Sequence, residues 1–292
     1  MSVSLDLLRS FLAVHRAGSV TAAAESLGLS QPTVTAHLKA LEAALGRPLF
    51  ERQARGVHPT AAGDELARRI AEPIDVLQGL VTDELGEPAA ATVHLGGPSD
   101  FLCDQVLPVL ADRIAGGLQL RTRFGLPDDL LDALLAHHLD VVISSTRPRR
   151  PGLRVTPLYD ETFALVAVPS WLPGAPVSSP EALRRIPLVA YGEEAPIIRR
   201  YWRSVFGTRL SRTADLVVPD LRGVLAAVRA GAGMSVLPTY LCEPALRSGE
   251  LTLLADPELP PLNTLYAVIR ADAGPRSAAG VVRDELIRRL SS

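Results

Sequence analysis

The sequence lacks several features that define whole classes of protein. Its 292 residues include only two cysteines, Cys103 and Cys242, which are far apart and lack metal-ligand spacing. This usage favours two free thiols in a reducing compartment. No uninterrupted apolar run reaches the roughly 20 residues that a membrane helix needs, and the N-terminus, which contains Asp6, Arg9 and His15, does not resemble a signal peptide. We therefore expect a cytoplasmic protein that makes no membrane contact.

Motifs of common enzyme chemistries are also missing. The sequence has no nucleophile elbow, no HExxH and no phosphate-binding glycine loop. The adjacent His137 and His138 would face different directions on a helix, which makes them a poor metal pair. The sequence therefore predicts no catalytic residue, no cofactor and no metal site.

The composition permits two or three folded units. Apolar residues make up 47% of the chain and charged residues 21%, which is enough to bury cores in units of roughly 100 residues each. The formal net charge is -2. The whole molecule is therefore not attracted to DNA by its net charge, and any basic DNA surface must be local.

The first 30 residues predict two short helices. Apolar residues recur at helical spacing between Leu5 and Leu12, and Gly18 is placed to end that helix. Ser19 can then cap a second helix from Ala22 to Leu27, which Gly28 ends.

A third, longer helix is expected between Ser30 and Gly46. Ser30 suits an N-cap, and Pro32 falls in the first turn, where its missing N–H costs little. The apolar stripe of this helix comprises Val34, Leu38, Leu41 and Leu45. Its other face carries small and polar side chains, which suit a helix lying in a major groove. An ordinary three-helix bundle with a solvated face is the alternative.

The segment after the third helix predicts a short β-ribbon, or wing. Residues 48–59 contain Gly56 near the expected tip, and Arg52 and Arg55 would lie where a phosphate backbone or minor groove passes. From residue 30 to residue 60 cationic side chains outnumber acidic ones, whereas residues 61–88 are acidic. Positive charge is thus concentrated on the expected DNA face.

These sixty residues resemble the N-terminal domain of LysR-type transcriptional regulators. The shared motifs occur in one order, at 7–11 (LLRSF), 18–24 (GSVTAAA), 29–35 (LSQPTVT), 41–42 (LE), 45–46 (LG), 49–52 (LFER) and 60–63 (TAAG). One departure is that Ala36 and His37 follow Thr35, where the family often has a basic residue. The resemblance implies a winged helix-turn-helix that binds double-stranded promoter DNA. The expected DNA contacts are Ser30, Gln31, Pro32, Thr33, Thr35, His37, Lys39, Arg52 and Arg55.

A long amphipathic helix is expected after Thr60. Thr60 suits an N-cap, and Asp64 and Glu65 suit the positive end of the helix dipole. Pro73 predicts a kink or one lost backbone hydrogen bond. The apolar stripe comprises Leu66, Ile70, Ile74, Leu77 and Leu80 or Val81. In the family this helix pairs with its copy in a dimer, and packing against its own chain is the alternative.

The last two hundred residues alternate between strand and helix patterns, which predicts a parallel α/β sheet. Two strands, 153–158 and 163–168, are expected to cross to a second lobe. The other expected elements are strands at 92–96, 118–124, 141–144, 188–191, 214–218 and 265–270, helices at 100–113, 126–137, 197–206, 221–230 and 278–290, and a glycine turn into a strand at 231–238. This pattern, with motifs at 106–108, 139–143 and 231–238, resembles the periplasmic-binding-protein-like effector domain of the same family.

The expected architecture has three parts. An all-α winged helix-turn-helix occupies residues 1–60, and a linker and dimerisation helix occupies 61–88. A two-lobed α/β effector domain occupies 89–292, with lobe I at about 89–160 and 268–292 and lobe II at about 161–267. The resemblance implies self-association as a homodimer or homotetramer.

A small-molecule effector is expected in the cleft between the lobes, at strand ends and helix N-termini. The expected lining residues are Pro98, Ser99, Asp100, Ser145, Thr146, Tyr191 and Asp220. Ser99 can hold a carboxylate with helix N–H groups or serve as a plain N-cap. Asp100 argues against a simple anion site and favours an amine. Arginines at 147, 149, 150, 199 and 200 could bind an acid, although exposed arginines usually only solvate a surface.

Three other classes of protein are alternatives to a DNA-binding regulator with an effector domain. An enzyme lacks a supporting motif. A ligand-binding module whose helix-turn-helix contacts only protein is disfavoured by the polar face of the third helix and the wing arginines. An oxyanion-sensing regulator would have a smaller, β-rich sensor. The sequence therefore predicts a sequence-specific DNA-binding transcriptional regulator that a small-molecule effector controls.

Overall fold

The computed structural model describes residues 3–53, 56–85, 92–172, 177, 179–275 and 277–291. The N-terminal head consists of α1 (Leu5–Ala17), α2 (Val20–Leu27), α3 (Gln31–Leu45), β1 (Phe50–Gln53) and β2 (Gly56–Pro59). The two strands pair antiparallel and confirm the expected wing. None of the helices in the described part of the chain is both long enough and apolar enough to cross a membrane.

Local capping signals set the boundaries of the head helices. Gly18, Gly28 and Gly46 follow the three helices in the left-handed conformation, which glycine adopts without steric cost. Ser19 Oγ accepts a hydrogen bond from the Ala22 amide, so α2 begins at Val20, two residues earlier than expected. The predicted helix ends are confirmed.

The head has its own apolar core. Phe11, Val14, Val34, Leu41 and Leu49 are fully buried there, and each large apolar side chain contributes about 1.5–3 kcal/mol by leaving water. The predicted stripe of α3 is correct for its first three members. It is wrong for Leu45, which is 37% exposed in the last turn.

The linker helix α4 (Ala61–Leu85) packs its first half on the head of its own chain. Ala67, Ala71 and Ile74 are buried in the head core, whereas Leu77 is 44% exposed. Small side chains allow this close approach, and a Cβ added to Gly63 would lie 2.3 Å from the Leu49 carbonyl oxygen. The buried positions 67 and 71 each lie one residue after the predicted positions 66 and 70, whereas Ile74 is common to both sets.

The effector domain contains nine strands and seven α-helices among the described residues. The strands are β3 (Thr92–Gly97), β4 (Gln119–Phe124), β5 (Val141–Ser144), β6 (Leu153–Ala167), β7 (Val189–Ala190), β8 (Leu216–Val217), β9 (Ser235–Pro238), β10 (Thr252–Leu253) and β11 (Leu262–Arg270). The helices are α5 (Ser99–Phe101), α6 (Leu107–Ala115), α7 (Pro127–Leu135), α8 (Pro196–Phe206), α9 (Leu221–Arg229), α10 (Thr239–Arg247) and α11 (Ala278–Leu290). A π-helical turn at Leu102–Val106 joins α5 to α6.

The main sheet is mixed, not fully parallel as expected. Its strand order is β10-β6-β11-β5-β3-β4, and β9 also pairs with β6. Strand β3 is parallel to β4 and β5, but β11 is antiparallel to both β5 and β6. Strand β4 lies at the edge and is mostly exposed. Helix α10 and strand β10 were not predicted.

Strand β6 is one 15-residue strand where the sequence predicts two. Its first part pairs with β11, and its last part pairs with β9 and β10. Pro157, which suggests an interruption, lies at a register shift opposite Tyr266, where a bulge tolerates the missing N–H. A single strand therefore links the two regions of the domain.

Two main apolar cores flank this strand. The larger contains Phe101, Val106 and Ile143 together with the buried faces of α9, α10 and α11. The second contains Leu165, Ile198, Tyr201 and Trp202. The lobe boundaries expected from the sequence stay a prediction.

Candidate DNA interface and effector site

The N-terminal half of α3 presents a polar surface. Ser30, Gln31, Pro32 and Lys39 are exposed, and Thr33, Thr35 and His37 are partly buried. The three hydroxyls are engaged locally. Ser30 Oγ accepts from the Thr33 amide and lies 2.7 Å from Thr33 Oγ1, and Thr35 Oγ1 donates to the Gln31 carbonyl at 2.9 Å. Gln31 and Lys39 are thus the long polar side chains of this surface.

His37 is held from inside the head. Its Nδ1 lies 2.7 Å from the Oγ of Ser10, which is buried in α1. This contact fixes the ring orientation and takes one ring nitrogen. A DNA contact by His37 stays a prediction and would have to use Nε2.

The wing carries two of the predicted DNA contacts. Arg52 pairs with Val57 in the β1–β2 register. The side chain of Arg52 and the whole of Arg55 lie outside the described residues.

Asp100 is the buried centre of the candidate effector site. It lies in α5 and is 6% exposed, and its Oδ2 accepts a hydrogen bond of 2.5 Å from the Tyr240 hydroxyl of α10. Burial raises the pKa of Asp100, and the nearby Asp220 carboxylate adds to the effect. Burial, together with Asp100, also raises the pKa of Tyr240.

Glu161 is a second buried carboxyl group at this site. It lies on β6, 7% exposed, and its Oε1 accepts a hydrogen bond of 2.8 Å from Asn263 Nδ2 of β11. Asn263 Nδ2 also lies 3.3 Å from the Ser145 carbonyl oxygen, to which it donates. Burial raises the pKa of Glu161 to about 7, and the Asp100 charge contributes in the same direction.

Asp220 and Arg222 connect α9 to the segment after β3. Asp220 Oδ1 accepts from the Arg222 amide as the N-cap of α9, and Arg222 Nη2 donates to Asp220 Oδ2 at 2.7 Å. Arg222 Nη1 also lies 3.0 Å from Cys103 Sγ, and its guanidinium carbon is 5.7 Å from the Phe124 ring centroid. The hydrogen bond from Arg222 is the main factor that lowers the pKa of Asp220, to which a Ser99 hydrogen bond also contributes.

The predicted effector residues are therefore only partly brought together. Ser99, Asp100 and Asp220 form one group, preceded by Pro98 at the start of α5. Ser145 joins this group through Asn263 and Glu161. Thr146 is exposed, and its amide and carbonyl bond to Ser144 Oγ; Tyr191 packs partly buried against the larger core.

The sequence analysis missed four residues of this site. They are Glu161, Arg222, Tyr240 and Asn263. Glu161 falls between the two predicted strands, 153–158 and 163–168, and the other three come from distant segments that carry no motif. A separate surface pocket, lined in part by Arg184, Trp202 and Arg209, shares no residue with the predicted effector set.

A winged helix-turn-helix head, a long linker helix and an α/β domain with a buried polar site together define a ligand-responsive DNA-binding protein. Residues 5–64 match the family model "Bacterial regulatory helix-turn-helix protein, lysR family", and residues 86–291 match "LysR substrate binding domain". The chain belongs to the LysR family of transcriptional regulators. It is a DNA-binding regulator with an effector-binding domain, as the sequence predicts.

Individual relatives agree with this assignment. The chain is 46% identical over 282 residues to the HTH-type transcriptional regulator AbaB of Streptomyces antibioticus, covering 92% of each chain. The crystal structure of ArgP from Mycobacterium tuberculosis has a TM-score of 0.70 at 23% identity, covering 98% of this chain and 97% of ArgP. Full-length LysG from Corynebacterium glutamicum with bound effector Arg has a TM-score of 0.64 at 22% identity, covering 98% and 99%. At these identities the two solved structures show the shared fold.

The buried Glu161 predicts a pH-dependent stability difference. Its pKa is about 7 in the fold, above the ordinary value of 4.5, so the unfolded chain releases this proton first as the pH rises. The free energy of unfolding then falls between these two values and stays lower above pH 7. Glu161→Gln keeps the acceptor for Asn263 and should stabilise the protein by on the order of 2 kcal/mol at pH 8, with little effect at pH 4.

Denaturant unfolding at both pH values measures this difference, with the exposed Glu258→Gln as a control that should show no such pH dependence. Equal effects of Glu161→Gln at the two pH values would contradict a buried carboxyl group with a raised pKa.

Proposed function

We propose that this regulator binds promoter DNA through α3 and the wing, as a dimer or tetramer. When an effector enters the polar site of the C-terminal domain, the geometry of this DNA contact changes. The observation that carries the proposal is the group of buried carboxyls at Asp100 and Glu161, in a domain joined to an exposed DNA-binding head. Burying carboxyl groups is costly even when, as here, each has a hydrogen-bond partner of its own, and a binding site accounts for their retention.

The proposed DNA contacts divide into two kinds. Gln31, Thr33 and Thr35 lie where base edges would pass if α3 enters a major groove, together with Ser30, Pro32, His37 and Lys39. Arg52 and Arg55 of the wing neutralise phosphates. Base contacts determine sequence preference, whereas phosphate contacts act on all sequences alike.

Self-association is proposed to involve the linker helix and the effector domain. Leu77 in α4 is 44% exposed, beyond the part of the helix that packs on its own head. Strand β4 forms an edge of the main sheet and leaves Phe124 47% exposed. Pairing of two chains places two copies of α3 on a partly symmetric site.

The effector is proposed to be a small molecule that carries an amine or a similar N–H donor. Asp100 and Glu161 offer acceptor oxygens, and Ser99, Ser145 and Asp220 lie around them. Pro98, Thr146 and Tyr191 are kept in the proposed lining. The bound arginine of LysG, which carries an amine and a guanidinium group, is consistent with this class of ligand.

Arg222 is the proposed connection between ligand binding and movement. It contacts Asp220, Cys103 and Phe124, which belong to three separate segments. A ligand that competes for Asp220 would change these contacts, shift the relative angle of paired chains and thereby the bend of the bound DNA.

We further propose that the protein acts in the cytoplasm as a regulator and not as an enzyme.

A salt-dependent titration with the DNA upstream of the protein's own gene, against a scrambled competitor, tests the DNA-binding part. Gln31→Ala should cost about 1–3 kcal/mol of specific binding and leave nonspecific binding nearly unchanged. Arg52→Ala should weaken both and reduce the salt slope by about 1. The exposed Arg185→Ala in the effector domain is the matched control.

Equal losses for Gln31→Ala and Arg52→Ala on both DNAs would contradict this division of roles. Binding that none of the head substitutions changes would contradict the interface itself.

A thermal-shift screen of small amines and guanidino compounds, arginine included, against matched acids tests the effector part. At about 100 times its Kd a ligand of this class should raise the Tm by on the order of 5 °C. Asp100→Asn should reduce the shift, whereas the exposed Asp129→Asn should not. Stabilisation by the acids alone would contradict the ligand class, and a tight ligand that leaves DNA affinity and footprint unchanged would contradict the coupling.

A further inference from the structure

Three potential metal ligands meet where the DNA-binding head contacts the effector domain. His15 lies in the last turn of α1, Asp64 in the first turn of α4, and His138 follows α7. One ring nitrogen of each histidine and one carboxylate oxygen of Asp64 lie within 4.8 Å of one another. Because these residues are distant in sequence, the docking of the head onto the effector domain is what brings them together.

The contacts within this group leave coordinating capacity unused. His15 Nε2 lies 2.9 Å from Asp64 Oδ1, and the rings of His15 and His138 are 5.0 Å apart between centroids. The side chain of His15 is fully buried, and its Nδ1 has no hydrogen-bond partner among the residues that the structure describes. Nε2, which faces Asp64, is therefore the ring nitrogen of His15 that is placed to coordinate an ion shared with that carboxylate.

We propose that His15, Asp64 and His138 bind a divalent transition-metal ion, with Zn²⁺ as the best match, and that water completes the coordination. Two imidazoles and one carboxylate form a donor set that zinc accepts in sites with three protein ligands. Bond lengths of about 2.0–2.2 Å place tetrahedral ligand atoms about 3.4 Å apart, so donor atoms that now lie within 4.8 Å of one another have to move closer on binding.

The surrounding charges are compatible with a bound cation. Arg16, next to His15, lies 3.9 Å from Asp140, and that buried carboxylate partly offsets its charge. The positive charge of Arg123 would repel a cation near His138, whereas the Asp64 carboxylate would attract it.

The site differs from the adjacent histidine pair that the sequence analysis rejects as a metal pair. His137 is 4% exposed and has a positive φ of 61°, and burial lowers its pKa to about 3. Only His138 of that pair belongs to the ligand set. A metal bound here would join the head, the linker helix and the effector domain of one chain, and its binding does not depend on the proposed DNA or effector contacts.

Competition with a chromophoric zinc chelator, on the metal-stripped full-length protein without DNA, tests the proposal. One Zn²⁺ should bind per chain, and His138→Gln or Asp64→Asn should weaken binding about tenfold or more. His58→Gln is the matched control, because His58 lies exposed on β2, away from the site. His15 is fully buried, so its substitution is not used to judge the result.

Co²⁺ provides a second readout, because its visible absorption depends on coordination geometry. The wild-type and His58→Gln proteins should give the same spectrum, and His138→Gln should lose it. Absence of Zn²⁺ binding, or equal affinity in the His138→Gln and His58→Gln proteins, would overturn the proposal.

Discussion

The buried carboxylate of Asp140 joins the two halves of this molecule. It accepts a hydrogen bond of 2.9 Å from the His94 amide and lies 3.8 Å from Arg270, both within the effector domain. The oxygen that faces Arg270, Oδ1, also lies 3.9 Å from Arg16 of the DNA-binding head. Burial alone would raise the pKa of Asp140, but the His94 side chain, 3.4 Å away, together with Arg16, the His94 amide and Arg270 outweighs it and lowers the pKa to about 2. The carboxylate is therefore ionised throughout the physiological range and attracts Arg16 of the head.

This contact gives the effector domain a direct connection to the DNA-binding surface. Arg16 lies in the last turn of α1, and α1 packs against α3, whose outer face carries Gln31 and Lys39. Asp140 leads into β5, which pairs with β3 and β11 in the main sheet. A change in the effector domain that moves β5 or its neighbours therefore reaches the head through packed elements, without requiring a change in the wing.

Strand β6 has the corresponding role within the effector domain. It runs through both parts of the domain and carries Glu161 near its middle, where Asn263 of β11 fixes the side chain. Asp100 and Tyr240 meet close by from α5 and α10. Polar groups that are buried at such a junction have few alternative partners. A ligand that bound there would contact elements of both parts of the domain.

Sequence reasoning succeeded where the signal was local. The helix ends at Gly18, Gly28 and Gly46 and the cap at Ser30 follow from the chemistry of single residues, and the wing follows from a short polar segment around a glycine. It failed for β6, because residues 159–162 fall between the two predicted strands, whereas in the fold they pair with β11 and continue a single strand. It missed Tyr240 and Asn263, because their partners lie more than a hundred residues away and only the tertiary fold brings them together.

Calorimetric unfolding of the wild type and of Arg16→Gln tests whether the head and the effector domain form one coupled unit through Asp140. Asp140 keeps Arg270 and the His94 amide when Arg16 is removed, so the loss of stability should be smaller than the about 3–5 kcal/mol that an uncompensated buried charge costs. The account predicts one cooperative transition for the wild type and two separated transitions for Arg16→Gln, with the exposed Arg185→Gln unchanged. Two transitions in the wild type, or no effect of Arg16→Gln, would contradict it.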